Sequence, residues 1–421
     1  VQLIHNKKLY TLLPIFIIIF FDYAALNLSM PVLTPLLLAK AGGLLSKNIL
    51  GWYKDFLYGF TLAIYPLFMF FSTPILGDLS DKLGRKKVLA FCLGTSAVSY
   101  FICAISVIQK SYLLCVCSLI IAGLAAGTQS IAIATIIDNS SKENRARHIA
   151  WAVFTASLGL IIGPALSGIA AAYDSVTSFG YETPFFIAIL LSLLNLCLIL
   201  FCFKDSKVYS PTAKIKILKG FTVFIGAFRK RKFSLLSLLF FSYALAWSLY
   251  YQTINWVLTD KFHYSVAKLS LFVAFLGLIF TLTTSILSKI ALKPFTHDSH
   301  AFLFFIFFMA VANVGSALSH TETAQWCWLI INAICDMLCY NVCLNIFSNQ
   351  VGASAQGWMM GVTSSIGSIT WTISGLLVGS LGFLDAYMPF WVASALCLVS
   401  LCLMQFFHRE HLNNANIMHE H

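Results

Sequence analysis

The chain has 421 residues, of which 59% are hydrophobic and only 10% charged, with a mean hydropathy of +0.85. A soluble domain carries about 25% charged residues, so a surface made only for water is excluded and lipid must cover much of it. The net charge of +11 is no nucleic-acid signal, because the basic residues punctuate apolar runs and build no basic domain of their own.

Twelve apolar runs are long enough to cross a bilayer, for which ~20 residues at ~1.5 Å each suffice. They cover roughly 10–38, 56–76, 88–108, 111–137, 149–173, 184–203, 233–257, 266–290, 300–320, 325–348, 358–381 and 386–407. The first outlasts a signal-peptide core and no small-residue cleavage site ends it, so it reads as a span. Across these spans, 21 of the 27 Lys and Arg fall on the side of residues 77–87 and 6 on the other. Basic residues in short loops stay in the cytoplasm, so both termini and the long middle loop are expected there. The twelve cysteines lie within or at the ends of apolar runs, without a Cys-x-x-Cys pair. They read as packing residues and not as disulfide or metal ligands.

The first span carries Asp22, within Phe20-Phe-Asp-Tyr-Ala-Ala-Leu-Asn-Leu-Ser-Met-Pro-Val-Leu. A carboxylate there is costly in lipid and should face the protein interior or a water-filled cleft. Two readings stand: a structural carboxyl paired with a hydroxyl or the backbone, or a group that loads and releases a proton or binds a cation. The stretch is similar to the first helix of proton-coupled drug antiporters, including the tetracycline exporters, in which an acidic residue precedes Met-Pro-Val-Leu.

The second and third spans are joined by Gly77-Asp78-Leu79-Ser80-Asp81-Lys82-Leu83-Gly84-Arg85-Lys86-Lys87, expected to form a short basic hairpin. It resembles the signature loop of the major facilitator superfamily at every fixed position. That resemblance implies an all-α integral membrane fold of twelve helices in two pseudo-symmetric six-helix bundles. It also implies a cytoplasmic gate made of Gly77, Asp78, Asp81, Gly84, Arg85 and Lys86. The fourth span ends in Ala134-Thr-Ile-Ile-Asp138, again like the tetracycline exporters. Carried over, Asp138 pairs with Arg85, and Asp81 sits near Gly357 at the start of the eleventh span, where a helix N-terminus attracts an anion. One departure counts against a full analogy: the family often has a relay arginine mid-way along the fourth helix, and here that position is Leu119.

In the fifth span, Gly159, Gly163, Pro164 and Gly168 resemble the glycine-proline motif of antiporters, with Ser167 in place of one glycine. Small residues let helices approach closely and proline bends them, so generic tight packing is the other reading. The sixth and twelfth spans repeat, Pro184-Phe-Phe-Ile-Ala against Pro389-Phe-Trp-Val-Ala, 205 residues apart. The first and seventh repeat in Phe20-Phe-Asp-Tyr-Ala and Phe240-Phe-Ser-Tyr-Ala. Asp22 therefore has Ser242 as its counterpart. The organisation expected is a bundle over 1–203, a basic linker over 204–232 that could lie on the anionic inner leaflet, a second bundle over 233–407 and a tail over 408–421. Two such halves place a substrate site at mid-membrane.

The seventh span presents Tyr243, Trp247, Tyr250 and Tyr251 on one helical face, lining either a cavity or the lipid boundary. The tenth carries Asn332, Asp336 and Tyr340 at helical spacing; such a stripe should face the centre. With Asn27 and Gln129, the residues Tyr243, Trp247, Tyr251, Asn332, Asp336 and Tyr340 are the candidates for a substrate cavity. His408, His411, His419 and His421 read as a flexible tail and not as metal ligands. No phosphate-binding loop, nucleophile–histidine arrangement or metal-protease motif is present. The expectation is a monomeric, non-enzymatic, proton-coupled carrier in a bacterial inner membrane, without cofactor or nucleic-acid partner. It exchanges protons for a small neutral or cationic organic molecule. A proton-driven importer on the same fold is the alternative, and a transport-inactive sensor, a lipid scramblase or a membrane enzyme is the different-class one.

Overall fold

The structure is a computed structural model that describes residues 2–38, 43–45, 49–141, 144–173, 180–203, 205, 218–229, 231–351 and 356–419. The described residues are mostly helical, without strands. In hydrocarbon every backbone N–H and C=O must be satisfied within the segment itself, and a helix does this. Among the described residues, twelve helices are long and apolar enough to span. We label them α1 Leu12–Leu38, α2 Gly51–Leu83, α3 Arg85–Ile108, α4 Tyr112–Asp138, α5 Arg147–Ala172, α6 Thr183–Cys202, α7 Phe233–Asp260, α8 Val266–Ala291, α9 Asp298–Leu318, α10 Glu322–Asn349, α11 Trp358–Gly382 and α12 Met388–Arg409. Large apolar side chains on their outer faces, such as Phe101, Leu190, Phe201 and Phe307, are exposed, as a lipid-covered surface requires.

Packing divides the chain into two compact units that are not the two sequence halves. One holds Val1–Leu50, Ile64–Lys219 and Thr259–Leu278; the other holds Gly51–Ala63, Gly220–Leu258 and Ile279–His421. Within the first unit, α1 packs on α5 and α6, and α3 on α4 and α6. Within the second, α9 packs on α10 and α12. The opening turns of α2 belong to the second unit because glycines bring them against α11: a Cβ on Gly379 would lie 2.6 Å from the Asp55 carbonyl oxygen and 2.9 Å from Gly59 Cα. Small residues thus set how closely these helices approach.

Three features depart from uniform helices. The hairpin expected over residues 77–87 is absent: α2 continues to Leu83 and α3 begins at Arg85, leaving a one-residue joint at Gly84. Gly84 has φ 112° and ψ 142°, a conformation essentially confined to glycine. In α4 the helix is interrupted over residues 125–127. There Ser72 Oγ donates to the Gly123 carbonyl at 2.6 Å and Thr73 Oγ1 to the Ala126 carbonyl at 2.9 Å, so hydroxyls of α2 satisfy acceptors at the break. In α8, Thr283–Leu287 forms a π-turn, a local widening frequent near functional sites.

One sequence expectation, about the C-terminal segment, changes. The final helix runs on to His419, so residue 408 is not where a flexible tail begins. His408 Nδ1 is 2.8 Å from Ser299 Oγ, and its ring packs on those of His297 and His300. His421 and the side chains of His411 and His419 lie outside the described residues. Of the basic linker, Lys219–Arg229 is an amphipathic helix with Gly220 and Ala227 buried; residues 206–217 lie outside the described residues.

Substituting Gly84→Ala forces an L-residue into the joint. Thermal unfolding in detergent should show a destabilisation of about 1–3 kcal/mol; a melting curve superimposable on wild type would contradict the strain assigned to this position.

Candidate functional site

The site is built around Asp22, mid-way along α1. The face of α1 beside it meets α5 through glycines. A Cβ on Gly159 would stand 2.7 Å from the Phe20 carbonyl oxygen and from Tyr23 Cβ, and 2.9 Å from Ala24 N. One turn on, a Cβ on Gly163 would stand 3.1 Å from Ala24 Cα and Leu28 N. These two glycines therefore touch the turn of backbone that carries Asp22, and any side chain in their place would push it away. Pro164 is buried beside them, and Ser167, which replaces a glycine of the resembled motif, is fully buried. Gly168 approaches Ser270 and Ala267 of α8 in the same unit, at 3.2 and 3.3 Å from its would-be Cβ.

Asp22 itself is half-buried and makes no hydrogen bond or ion pair among the described residues. Tyr65 of α2 and Cys92 and Tyr100 of α3 lie close enough to feel its charge. None of them is a cation. The structural reading, a carboxyl tied to a hydroxyl or the backbone, therefore finds no partner here. What remains is a carboxyl that can be neutral cheaply and ionised only with help from water or a cationic ligand.

At the α2–α3 end, Arg85 is almost fully buried and gathers three partners. Its Nη2 lies 2.6 Å from Asp81 Oδ1 and 3.2 Å from Asp138 Oδ2, Nε donates to Asp138 Oδ2 at 3.3 Å, and Nη1 donates to Ser80 Oγ. Asp81 thus meets its cation across the joint at Gly84. Its expected approach to Gly357 falls outside the described side chains. Asp78 pairs with Lys219 of the linker helix. Asp205 accepts a hydrogen bond from the Lys86 backbone N–H at 3.1 Å, in the first turn of α3, where unpaired donors attract an anion. The Lys86 ammonium donates to the Leu200 carbonyl at 2.7 Å. Gly77 has open space around it. Ser80, Asp205 and Lys219 escaped the sequence reading. The last two lie in a linker whose many charges carry no spacing signal.

The cavity candidates separate. Tyr243, Asn332 and Asp336 are buried together in the second unit, with Tyr243 Oη 2.5 Å from Asp336 Oδ1. Trp247 makes tilted ring contacts with Tyr250, Tyr251 and Phe280, and Tyr251 also meets Trp371. Tyr340 is exposed, with its ring 6.3 Å from that of Phe240. Asn27 is half-buried and its Nδ2 donates to the Tyr23 carbonyl at 2.9 Å. Gln129 is exposed on α4.

The model of the Major Facilitator Superfamily matches residues 15–375. The chain belongs to that superfamily. It is accordingly an integral, multi-pass membrane transporter and not an enzyme. Among characterised relatives, it is 27% identical to the class C tetracycline resistance protein of Escherichia coli over 334 residues, 76% of this chain and 78% of that one. It is 25% identical to the class B protein of the same organism over 415 residues, 93% and 94% of the two chains. Its fold is similar to that of the human organic anion transporter MFSD10 (TETRAN), with a TM-score of 0.70 at 20% identity, covering 94% of this chain and 99% of the other.

Because Arg85 is shared between Asp81 and Asp138, removing either end of the Arg85–Asp138 contact strands a partly buried charge. Arg85→Gln and Asp138→Asn should each lower the melting temperature. The double variant should cost less than their sum, by about 1 kcal/mol; strictly additive losses would show that the two side chains do not act as a pair.

Proposed function

We propose that this transporter is a proton-coupled exporter that works by alternating access, exchanging a proton held on Asp22 for a small organic molecule. The observation that carries the reading is the carboxyl itself: part-way through a membrane helix, half-buried, without a cation, in a turn of α1 held against the glycines of α5. Such a group is costly to keep and marks an ion or proton path. The relatives named as tetracycline resistance proteins favour export. In this reading both termini lie in the cytoplasm, the protein is a monomer in a bacterial inner membrane, and it needs no cofactor beyond the proton gradient.

The substrate class follows from charge. Asp22 and Asp336 both lie within spans, whereas the Lys and Arg of the spans lie near their ends. A neutral or cationic amphipathic molecule is compatible with that interior; a phosphate or polycarboxylate would find no counter-charge. The buried Arg85, held by Asp81, Asp138 and Ser80, acts as the latch of the gate at the α2–α3 end. Pairs that form and break there separate the two access states.

Tetracycline is the first probe. In everted vesicles with an imposed pH gradient, the wild-type protein should accumulate it, and addition of tetracycline to energised vesicles should release protons. Asp22→Asn should lose gradient-driven accumulation while still exchanging labelled for unlabelled tetracycline. Unchanged gradient-driven uptake in Asp22→Asn would remove Asp22 from the coupling. Proton movement in the same direction as substrate would show import by symport.

A further inference from the structure

The second unit contains another carboxyl that Asp22 chemistry does not use. Asp336 lies in the middle of α10, 2% exposed, with no Lys, Arg or His paired to it among the described residues. Tyr243 of α7 reaches it across the helix interface. The phenol oxygen is 2.5 Å from Asp336 Oδ1 and 2.8 Å from the carbonyl oxygen of the same residue.

A phenol carries one proton and can accept as well as donate. An ionised Asp336 would present two acceptors, carboxylate and carbonyl, to that single proton. A protonated Asp336 resolves the count. Oδ1–H donates to Tyr243 Oη, and Oη–H donates to the carbonyl oxygen, so each short contact has its own hydrogen. Among the described residues, the remaining titratable groups around the carboxyl are thiols and a phenol: Cys335, Cys339, Tyr340 and Cys343 of α10 and Cys397 of α12. From α9 the aromatic ring of Phe302 packs on Tyr243. Nothing there supplies positive charge to hold a carboxylate.

A second observation points to a state other than the one seen. Asn332, one turn before Asp336 and completely buried, has no hydrogen-bond partner among the described residues for either its Oδ1 or its Nδ2. A buried amide without partners costs several kcal/mol, more so in a membrane interior. Residues four apart on a helix share a face. The Asn332 amide is therefore placed where it can donate to Asp336 once the carboxyl loses its proton.

We propose that Asp336, closed by Tyr243 and attended by Asn332, is a second proton-binding centre, occupied in this structure and independent of Asp22. Release breaks only the Oδ1–H bond, leaves a carboxylate that Tyr243 and Asn332 both donate to, and passes the proton to water. The existence of the centre does not depend on the export reading. Its use as a second coupled proton does.

Infrared difference spectroscopy on the full-length protein in lipid, titrated from acid to alkaline without any substrate, tests this directly. Wild type should show a carboxylic C=O band from Asp336 that disappears as pH rises. Asp336→Asn, an isostere of the neutral acid, should lack that one band. Tyr243→Phe should keep it but shift it, because the carboxyl loses its acceptor. Asp22→Asn should leave it in place, which separates this result from the flux experiment. Spectra of Asp336→Asn that match wild type at every pH would overturn the proposal. So would a Tyr243→Phe variant whose carboxyl bands are all unmoved, an outcome readable even if Asp336→Asn does not fold. A band from Asp336 that persists unchanged to alkaline pH would show a fixed structural acid and would also overturn it.

Discussion

A carboxyl group held among apolar helices with no cation beside it is cheap to keep when neutral and expensive when charged. Asp22 is in that position, and much of the first unit is arranged to keep it there. The turn Phe20–Ala24 is held against α5 because Gly159 and Gly163 present no side chain to it. Tyr65, Cys92 and Tyr100 close the surroundings with groups that do not neutralise it. The same carboxyl is nevertheless half-buried and not sealed. A group so placed changes its preference when water or a cationic molecule arrives, which is the property a coupled carrier needs.

The α2–α3 end works by the opposite rule. There the charges are compensated several times over, with Arg85 shared by two carboxylates and a hydroxyl, Asp78 met by Lys219 and Asp205 set on the first turn of α3. The Asp81–Arg85 pair depends on Gly84, which lets α2 pass into α3 through one residue and so brings Asp81 and Arg85 together. Uncompensated charge within the span and over-compensated charge at its end are complementary. In the proposed mechanism the first responds to protons and ligand, and the second responds to helix movement.

The helix count was legible because apolar length is a direct physical requirement of the bilayer, and the twelve runs needed no tertiary knowledge. Asp22 and the Gly159–Pro164 stretch were also visible, one as a charge where charge is costly and the other as clustered small residues. That the glycines touch the very turn that carries Asp22 was not visible, because composition does not say which faces of two helices meet. The residues 77–87 looked like a loop because they are polar. They are helical because the helix can continue beyond the apolar region, with one glycine making the turn. Lys219 and Asp205 were lost among the linker's many charges. His408 was read as tail because a histidine after the last apolar run has no local signal for docking on Ser299. The Asp336–Tyr243 contact was half-legible: both residues stood out, but only the structure shows them sharing hydrogen bonds in the core.

The account rests on Asp22 having a route to water. In a variant with the twelve native cysteines replaced, Asp22→Cys can be exposed to a membrane-impermeant thiol reagent from each side of reconstituted vesicles. Labelling from at least one side, slowed by tetracycline, is the predicted result. Failure to label from either side, with the variant folded and a cysteine at an exposed loop position reacting normally, would contradict it.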